Sequence, residues 1–272
     1  MKNTMKQFKI TFPLTLLLYM VGILSALTLT SCGGDDSIDN GDSIDNPHRI
    51  FISSMLPSKI NDYKVLTSTE GLVTKFVGKD EILSIGYNLD KHDADTPDIV
   101  LSQQGYYNET INFTIGDNGF VSYAERIRND KITGIWIFTY DSEGHLICVE
   151  SFQNTIHHRY DLTWENEDIV TVISDHGEDF TADINYTSDE VTTPIYNKGN
   201  IMLLEPVFRI DMDNAGWMQY AGLFGKATRH LPVGRHFTNS VGTEDKAFEI
   251  HLNEDGLLVY YDCHDDAYNF IW

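Results

Sequence analysis

The sequence predicts an all-β protein: an antiparallel sheet of successive hairpins, curved into a half-barrel or a barrel, with one short helix near 215–225. Three observations carry that prediction. Large residues alternate at period two on either side of polar turns, half of which end in glycine. The same frame returns every 22–25 residues, at Phe113, Phe138, Leu162, Ile184 and Phe208. Only one stretch, Trp217 to Phe224, switches to helical spacing.

The chain begins with a basic tip, Lys2, Lys6 and Lys9, and no acid stands among its first thirty-one residues. An almost wholly apolar run from Phe12 to Leu29 follows and ends in Leu29-Thr30-Ser31-Cys32. Basic tip, apolar run and small residues are the parts of a secretory signal. A run of ~20 apolar residues is also long enough to span a bilayer. The flank behind it is acidic, however, whereas a stop-transfer segment is held by basic residues. Residues 1 to about 36 resemble a bacterial lipoprotein signal, which implies that Cys32 becomes the acylated N-terminus of the mature chain. Each buried methylene of such an anchor contributes ~0.8 kcal/mol, so several chains hold stably. Gly33-Gly34-Asp35-Asp36 is similar to the export tag of surface lipoproteins in Bacteroides-type bacteria. The expected location is the outer membrane, lipid-anchored, with the cell surface favoured over the periplasmic face.

Residues 32–47 read as a flexible acidic tether, because Asp36-Ser-Ile-Asp-Asn-Gly41 is repeated almost unchanged in Asp42-Ser-Ile-Asp-Asn-Pro47. Such a segment is too polar to order itself. Its paired aspartates invite calcium, but no rigid ligand cage is evident in them. Residues 48–272 are expected to form a single β-rich domain. Cleavage after Ser31 removes three lysines, leaving 16 basic against 41 acidic residues and a net charge of −25. That charge repels phosphate backbones and excludes nucleic acid as a partner.

Within the body, Trp136-Ile-Phe138-Thr-Tyr140 runs through a turn ending at Gly144 into Leu146-Ile-Cys-Val149. The copies after Phe113, Leu162, Ile184 and Ile250 turn near Gly119, Asp168, Glu190 and Gly256, and that after Phe208 near Asn214. Each copy is expected to add two antiparallel strands. Trp217, Tyr220, Ala221 and Phe224 share one helical face, with Asp213 or Asn214 as the cap and Gly225 as the stop. The alternating Tyr268-Asn-Phe270-Ile-Trp272 is expected to close the sheet as a terminal strand of a water-soluble domain.

The Phe138-x-Tyr140-Asp141-x-x-Gly144-x-Leu146 frame and the segment from Tyr220 to Pro232 carry a resemblance covering roughly residues 80–272. They resemble a family of uncharacterised Bacteroides-type lipoproteins described as a domain of unknown function with a porin-like, half-barrel fold. The resemblance implies a fold and no functional residues.

No catalytic residue, cofactor or metal ligand is assigned from the sequence, and the ligand-binding residues are left unassigned. His-Glu-x-x-His, Gly-x-Ser-x-Gly and a phosphate-binding loop are all missing from the mature chain. Asp211-x-Asp213 begins like a calcium loop, but Ala215 and Gly222 occupy ligand positions. Asp90, Asp93, Asp95 and Asp98 surround Pro97 in an expected exposed loop, read as solvated. His157-His158 and Asp262-Cys263-His264-Asp265-Asp266 carry zinc-type ligands, yet neighbours in a strand point to opposite faces. Cys148 reads as a packed thiol and Cys263 as its only conceivable disulfide partner. Trp136, Trp164 and Trp217 fall on the apolar alternation and are expected in the core. The expected role is binding or structural, with a glycan or an envelope protein as partner. The alternative is a glycan-directed envelope hydrolase using paired carboxylates.

Overall fold

Period-two alternation does produce strands in series, and the order in which they pair makes a ring. The computed structural model describes residues 50, 55–90, 96–105, 108–153, 156–175, 179–187, 194–263 and 266–272. Asn46–Trp272 forms one compact unit. The signal, Cys32, the tether, Asp93, Asp95, His264, Asp265 and the Ser188–Glu190 turn lie outside the described residues.

The strands are β1 (Lys59–Ile60), β2 (Tyr63–Thr67), β3 (Val73–Val77), β4 (Ile82–Tyr87), β5 (Ile99–Gln104) and β6 (Glu109–Ile115). There follow β7 (Val121–Arg128), β8 (Lys131–Tyr140), β9 (Leu146–Gln153), β10 (Ile156–Glu165), β11 (Asp168–Asp175) and β12 (Phe180–Asn185). After a long interior segment come β13 (Gly234–Asn239), β14 (Gly242–Ala247), β15 (Glu249–Leu252), β16 (Leu258–Asp262) and β17 (Ala267–Ile271). All seventeen belong to one antiparallel sheet. Each strand pairs with the next from β1 to β14, β15 to β17 form a second run, and β17 pairs back onto β1. β14 and β15 are the two halves of one bent stretch. The first half pairs with β13 and the second with β16. At the bend the Phe248 N–H donates to the Val233 carbonyl at 2.9 Å. The result is a nearly closed barrel.

The repeated turns work by a shared device. Asp141 Oδ1 accepts the N–H groups of Glu143 and His145, both at 2.9 Å. Asn253 Oδ1 accepts those of Asp255 at 3.0 Å and Leu257 at 2.9 Å. These carboxylate and amide oxygens replace a backbone acceptor and set the turn. Gly144 completes its turn at φ 88°, where a Cβ would also stand 2.9 Å from the Phe120 ring. Two of the expected copies are not hairpins. The strand begun before Ile184 pairs with β13 instead of folding back locally. The Phe208–Asn214 copy is not a strand, because its apolar residues enter the lumen.

Residues 194–233 fill the barrel. Leu203, Leu204, Val207, Phe208, Ile210 and Met212 are buried. Phe224 stacks on Phe138 of β8 with ring centroids 4.9 Å apart, and Tyr220 faces Phe270 of β17 at 6.4 Å. The buried Arg235 of β13 donates to the Pro206 and Val207 carbonyls, each at 3.0 Å. The expected helix is present but tighter and shorter: a 3-10 helix over Asp213–Ala221. Its first flanking residue is Met212 with no side-chain cap, so neither Asp213 nor Asn214 caps it, and Gly222 at φ 75° ends it in place of Gly225. Three residues per turn suit a segment wedged between barrel walls, since the Trp217 and Tyr220 side chains then stack on one line.

Antiparallel pairing assigns the connections to two rims. The turns after β6, β8, β10 and β15 share one rim, and the interior segment enters and leaves there. That rim is closed by backbone hydrogen bonds: Val121 N–H to Leu223 O at 2.9 Å, Lys226 N–H to Gly144 O at 3.0 Å and Arg229 N–H to Glu167 O at 2.9 Å. Asp98 also sits on this side. It is buried, not in an exposed loop, and its carboxylate accepts the Ile115 N–H at 2.7 Å. The opposite rim carries the turns after β1, β3, β5 and β7, and it stays open.

Polarity decides what kind of barrel this is. Outward cross-strand pairs include Lys75–Ser84, Ser84–Ser102, Asn112–Glu125, Glu150–Arg159 and Thr171–Asp183. Arg159 bonds Glu150 at 3.3 Å and Asp161 at 2.7 Å in mid-strand. A lipid-facing barrel carries an apolar band there, and a basic residue at the bilayer midplane costs ~2–4 kcal/mol. This wall is polar and its lumen apolar, the reverse of a membrane pore. β17 closes the ring, with Phe270 turned inward and the Trp272 Nε1–H donating to Leu258 O at 2.7 Å.

Candidate functional site

The inward alternation that fills the lumen with apolar side chains changes character at the open rim. Along β5 the inward positions are Ile99, Leu101 and Gln103; along β6 they are Glu109, Ile111 and Phe113; along β7 Ala124 leads to Arg126 and Arg128. Each strand thus ends in a polar residue at the same height. The interior segment brings Glu205, Asp213, Asn214 and Trp217 up from below. Together they bound a cleft of about 500 Å³ lined by Glu81, Gln103, Arg128, Glu205, Asp213, Asn214 and Trp217. That volume falls within the range of small-ligand sites.

A continuous hydrogen-bond chain fixes the wall. The Tyr63 hydroxyl donates to Glu81 at 2.6 Å, and the Gln103 amide donates to the same carboxylate. The Asn214 amide donates to Gln103 Oε1 at 2.7 Å and to Glu109 Oε1 at 2.5 Å, and Arg128 pairs with Glu109. Six residues from β2, the β3–β4 turn, β5, β6, β7 and the 3-10 helix are thereby locked in one arrangement. Beside them the buried Arg126 pairs with Asp213, donates to Thr133 Oγ1 at 3.1 Å and lies over the Trp136 ring at 5.5 Å. This pair clamps the helix start to β7.

Trp217 is half-buried. Its ring rests on Tyr63 at 4.5 Å and Phe76 at 4.9 Å while also lining the cleft. The sequence places it in the core with Trp136. Trp136 is indeed fully buried, whereas Trp217 is shared between core and cleft because it lies in the second turn of a 3-10 helix that starts at the open rim. Trp164 is partly buried, stacks on His145 at 4.5 Å and donates to Leu146 O at 2.8 Å.

Glu205 is the perturbed carboxyl of the cleft. It reaches solvent, yet desolvation by the surrounding wall, followed by the charges of Asp211, Asp266 and Asp213, pushes it up to about 7. At neutral pH it is therefore divided between acid and carboxylate. The carboxylates that hold it there are residues the sequence presents as a failed calcium loop and an acidic run.

The remaining sequence candidates do not converge. Among the described residues no group of three or more His, Cys, Asp or Glu side chains is placed to hold a metal ion. His157 faces outward, stacks on Phe152 at 4.4 Å and contacts Glu150 at 3.2 Å, while His158 stacks on Tyr160 at 6.3 Å on the other face. Cys148 and Cys263 are separate buried thiols. Burial, with Asp161 nearby, pushes Cys148 up to about 12.

Fold and cleft define a class: an antiparallel barrel of porin-like topology, stoppered by its own chain, with a polar cleft at its open rim. The chain belongs to the family described as a domain of unknown function with porin-like fold, DUF4595, whose model matches residues 58–259. Among solved structures it is similar to a porin-like protein from Bacteroides uniformis. The two share 13% sequence identity at a TM-score of 0.60, over 82% of this chain and 98% of that one. At that identity the likeness concerns the fold. No curated protein matches the chain.

Proposed function

We propose that this is a lipid-anchored protein of the cell envelope whose barrel serves as a binding scaffold, with a glycan held in the open-rim cleft. The observation that carries this reading is the cleft's composition: an aromatic ring, Trp217, among amide and carboxylate groups already locked by hydrogen bonds. Sugars offer apolar ring faces to aromatics and hydroxyls to such groups, and a prelocked wall loses little entropy on binding. The anchor is supported by Leu29-Thr30-Ser31-Cys32 and the acidic tether behind it. A polar outer wall suits a body held in water by that anchor.

Calorimetric titration of the protein against a glycan panel tests the reading. Binding that weakens about tenfold in Trp217→Ala, at retained folding, is the expected result. A panel in which no glycan is affected by that substitution refutes it. For the anchor, Cys32→Ala should release the protein from membranes.

One observation favours a second reading. A glycosidase needs one carboxyl kept protonated near neutrality, and Glu205 is such a group. Release of reducing ends from the bound glycan, abolished in Glu205→Gln, would establish hydrolysis.

A further inference from the structure

We propose that the glycan taken by the open-rim cleft carries a protonated amine, whose ammonium group sits between Glu81 and Glu205 against Trp217. This rests on the cleft-binding reading and narrows it to one ligand class.

Local charge selects the ligand. Glu109 and Asp213 each have a guanidinium partner, Arg128 and Arg126. Glu81 is met by neutral donors, the Tyr63 hydroxyl and the Gln103 amide. Glu205 faces Asp211 and Asp213 of the interior segment and Asp266 of the β16–β17 turn, with the Tyr220 and Tyr268 phenols beside it. With Asp213 and Glu109 each matched to an arginine, the excess negative charge of the lining rests on Glu81 and Glu205. A carboxylated or phosphorylated glycan meets repulsion there, and a neutral one leaves the field unanswered. An ammonium group gains charge-assisted hydrogen bonds to the carboxylates and attraction to the indole. The Asp211, Asp266 and Asp213 charges, which add to desolvation in raising Glu205, also attract a cation.

Titration of two groups then shapes the affinity. Below neutrality Glu205 takes up its proton and the site loses charge. Above it the sugar amine gives up its own. Affinity should peak near pH 7 and fall on both sides, and Glu205→Gln should erase the acid-side fall.

The test is calorimetric titration of the protein at pH 7 with a glucosamine tetrasaccharide and with its fully N-acetylated counterpart, which keeps the rings and lacks the charge. The amine form should bind about tenfold more tightly, and Glu205→Gln should bring the ratio of the two affinities close to one. Thermal melting of the variant verifies folding. Equal affinities overturn the amine assignment and leave cleft binding standing. Binding of neither form overturns both.

Discussion

Truncating Phe224 to alanine measures whether residues 194–233 are a structural core or a removable stopper. Phe224 is fully buried, and its ring stacks on Phe138 at 4.9 Å with an interplanar angle of 26°. The neighbouring backbone is fixed by the Leu223 carbonyl, which accepts the Val121 N–H at 2.9 Å, and by Gly225, where a Cβ would stand 2.9 Å from Gly144 O. With both flanks pinned, the wall cannot collapse into the space left by the ring. Loss of a buried phenylalanine costs ~3–5 kcal/mol, and a rigid site belongs at the upper end. For a domain of this size each kcal/mol lowers Tm by ~2–4 °C, so a fall of roughly 10–20 °C is expected. Urea unfolding and calorimetry of Phe224→Ala, Phe138→Ala and the double variant give the assay. The double variant should cost less than the sum of the singles, because the stacked pair itself contributes ~0.5–1.5 kcal/mol. Changes below ~0.5 kcal/mol in all three would refute the packing of this segment into the lumen.

Three further outcomes follow from the same contacts. Arg126→Met leaves Asp213 without its guanidinium; because Asp213 is partly solvated, the cost in urea unfolding should be ~2 kcal/mol, below that of a fully buried pair. Glu205→Gln should stabilise the protein at pH 8 and hardly at pH 5. A carboxyl raised from 4.5 to about 7 binds its proton more tightly when folded, so the wild type loses stability as pH rises through that window. Solvent screening of this exposed group reduces the effect to ~1 kcal/mol, readable as the difference in Tm between the two proteins across pH. Deleting residues 268–272 removes the inward Phe270 and the Trp272–Leu258 hydrogen bond and opens the β17–β1 seam, so a lowered Tm and increased dye binding are expected.

The hairpins were legible because their turns are local chemistry. Asp141 with Gly144, and Asn253 with Gly256, announce a turn wherever they stand, and alternation around them sets the faces. The interior segment was not legible for the same reason. Phe208-Arg-Ile210-Asp211 copies the hairpin frame, but the lumen wall lies far away in sequence, as does the Arg235 guanidinium that holds the preceding Pro206 and Val207 carbonyls. Helical spacing around Trp217 located the helix, yet could not foresee the tighter winding or the rim position that turns Trp217 partly into the cleft. The cleft had one readable signal: Gln103, Glu109 and Arg126 interrupt the inward apolar series at strand ends. A polar residue on the core-facing parity marks a place where the core stops. That the three interruptions meet, and that Asn214 bridges two of them, follows only from ring closure and the path of the interior segment.

A barrel filled by its own chain leaves the open rim as the proposed place for a ligand. A crystal structure of the protein soaked with the tightest-binding glycan tests it most directly. The account predicts sugar density against Trp217 and within hydrogen-bond reach of Glu81 and Glu205, with residues 194–233 unmoved. Density on the outer wall, or a ligand in a lumen vacated by that segment, would contradict it.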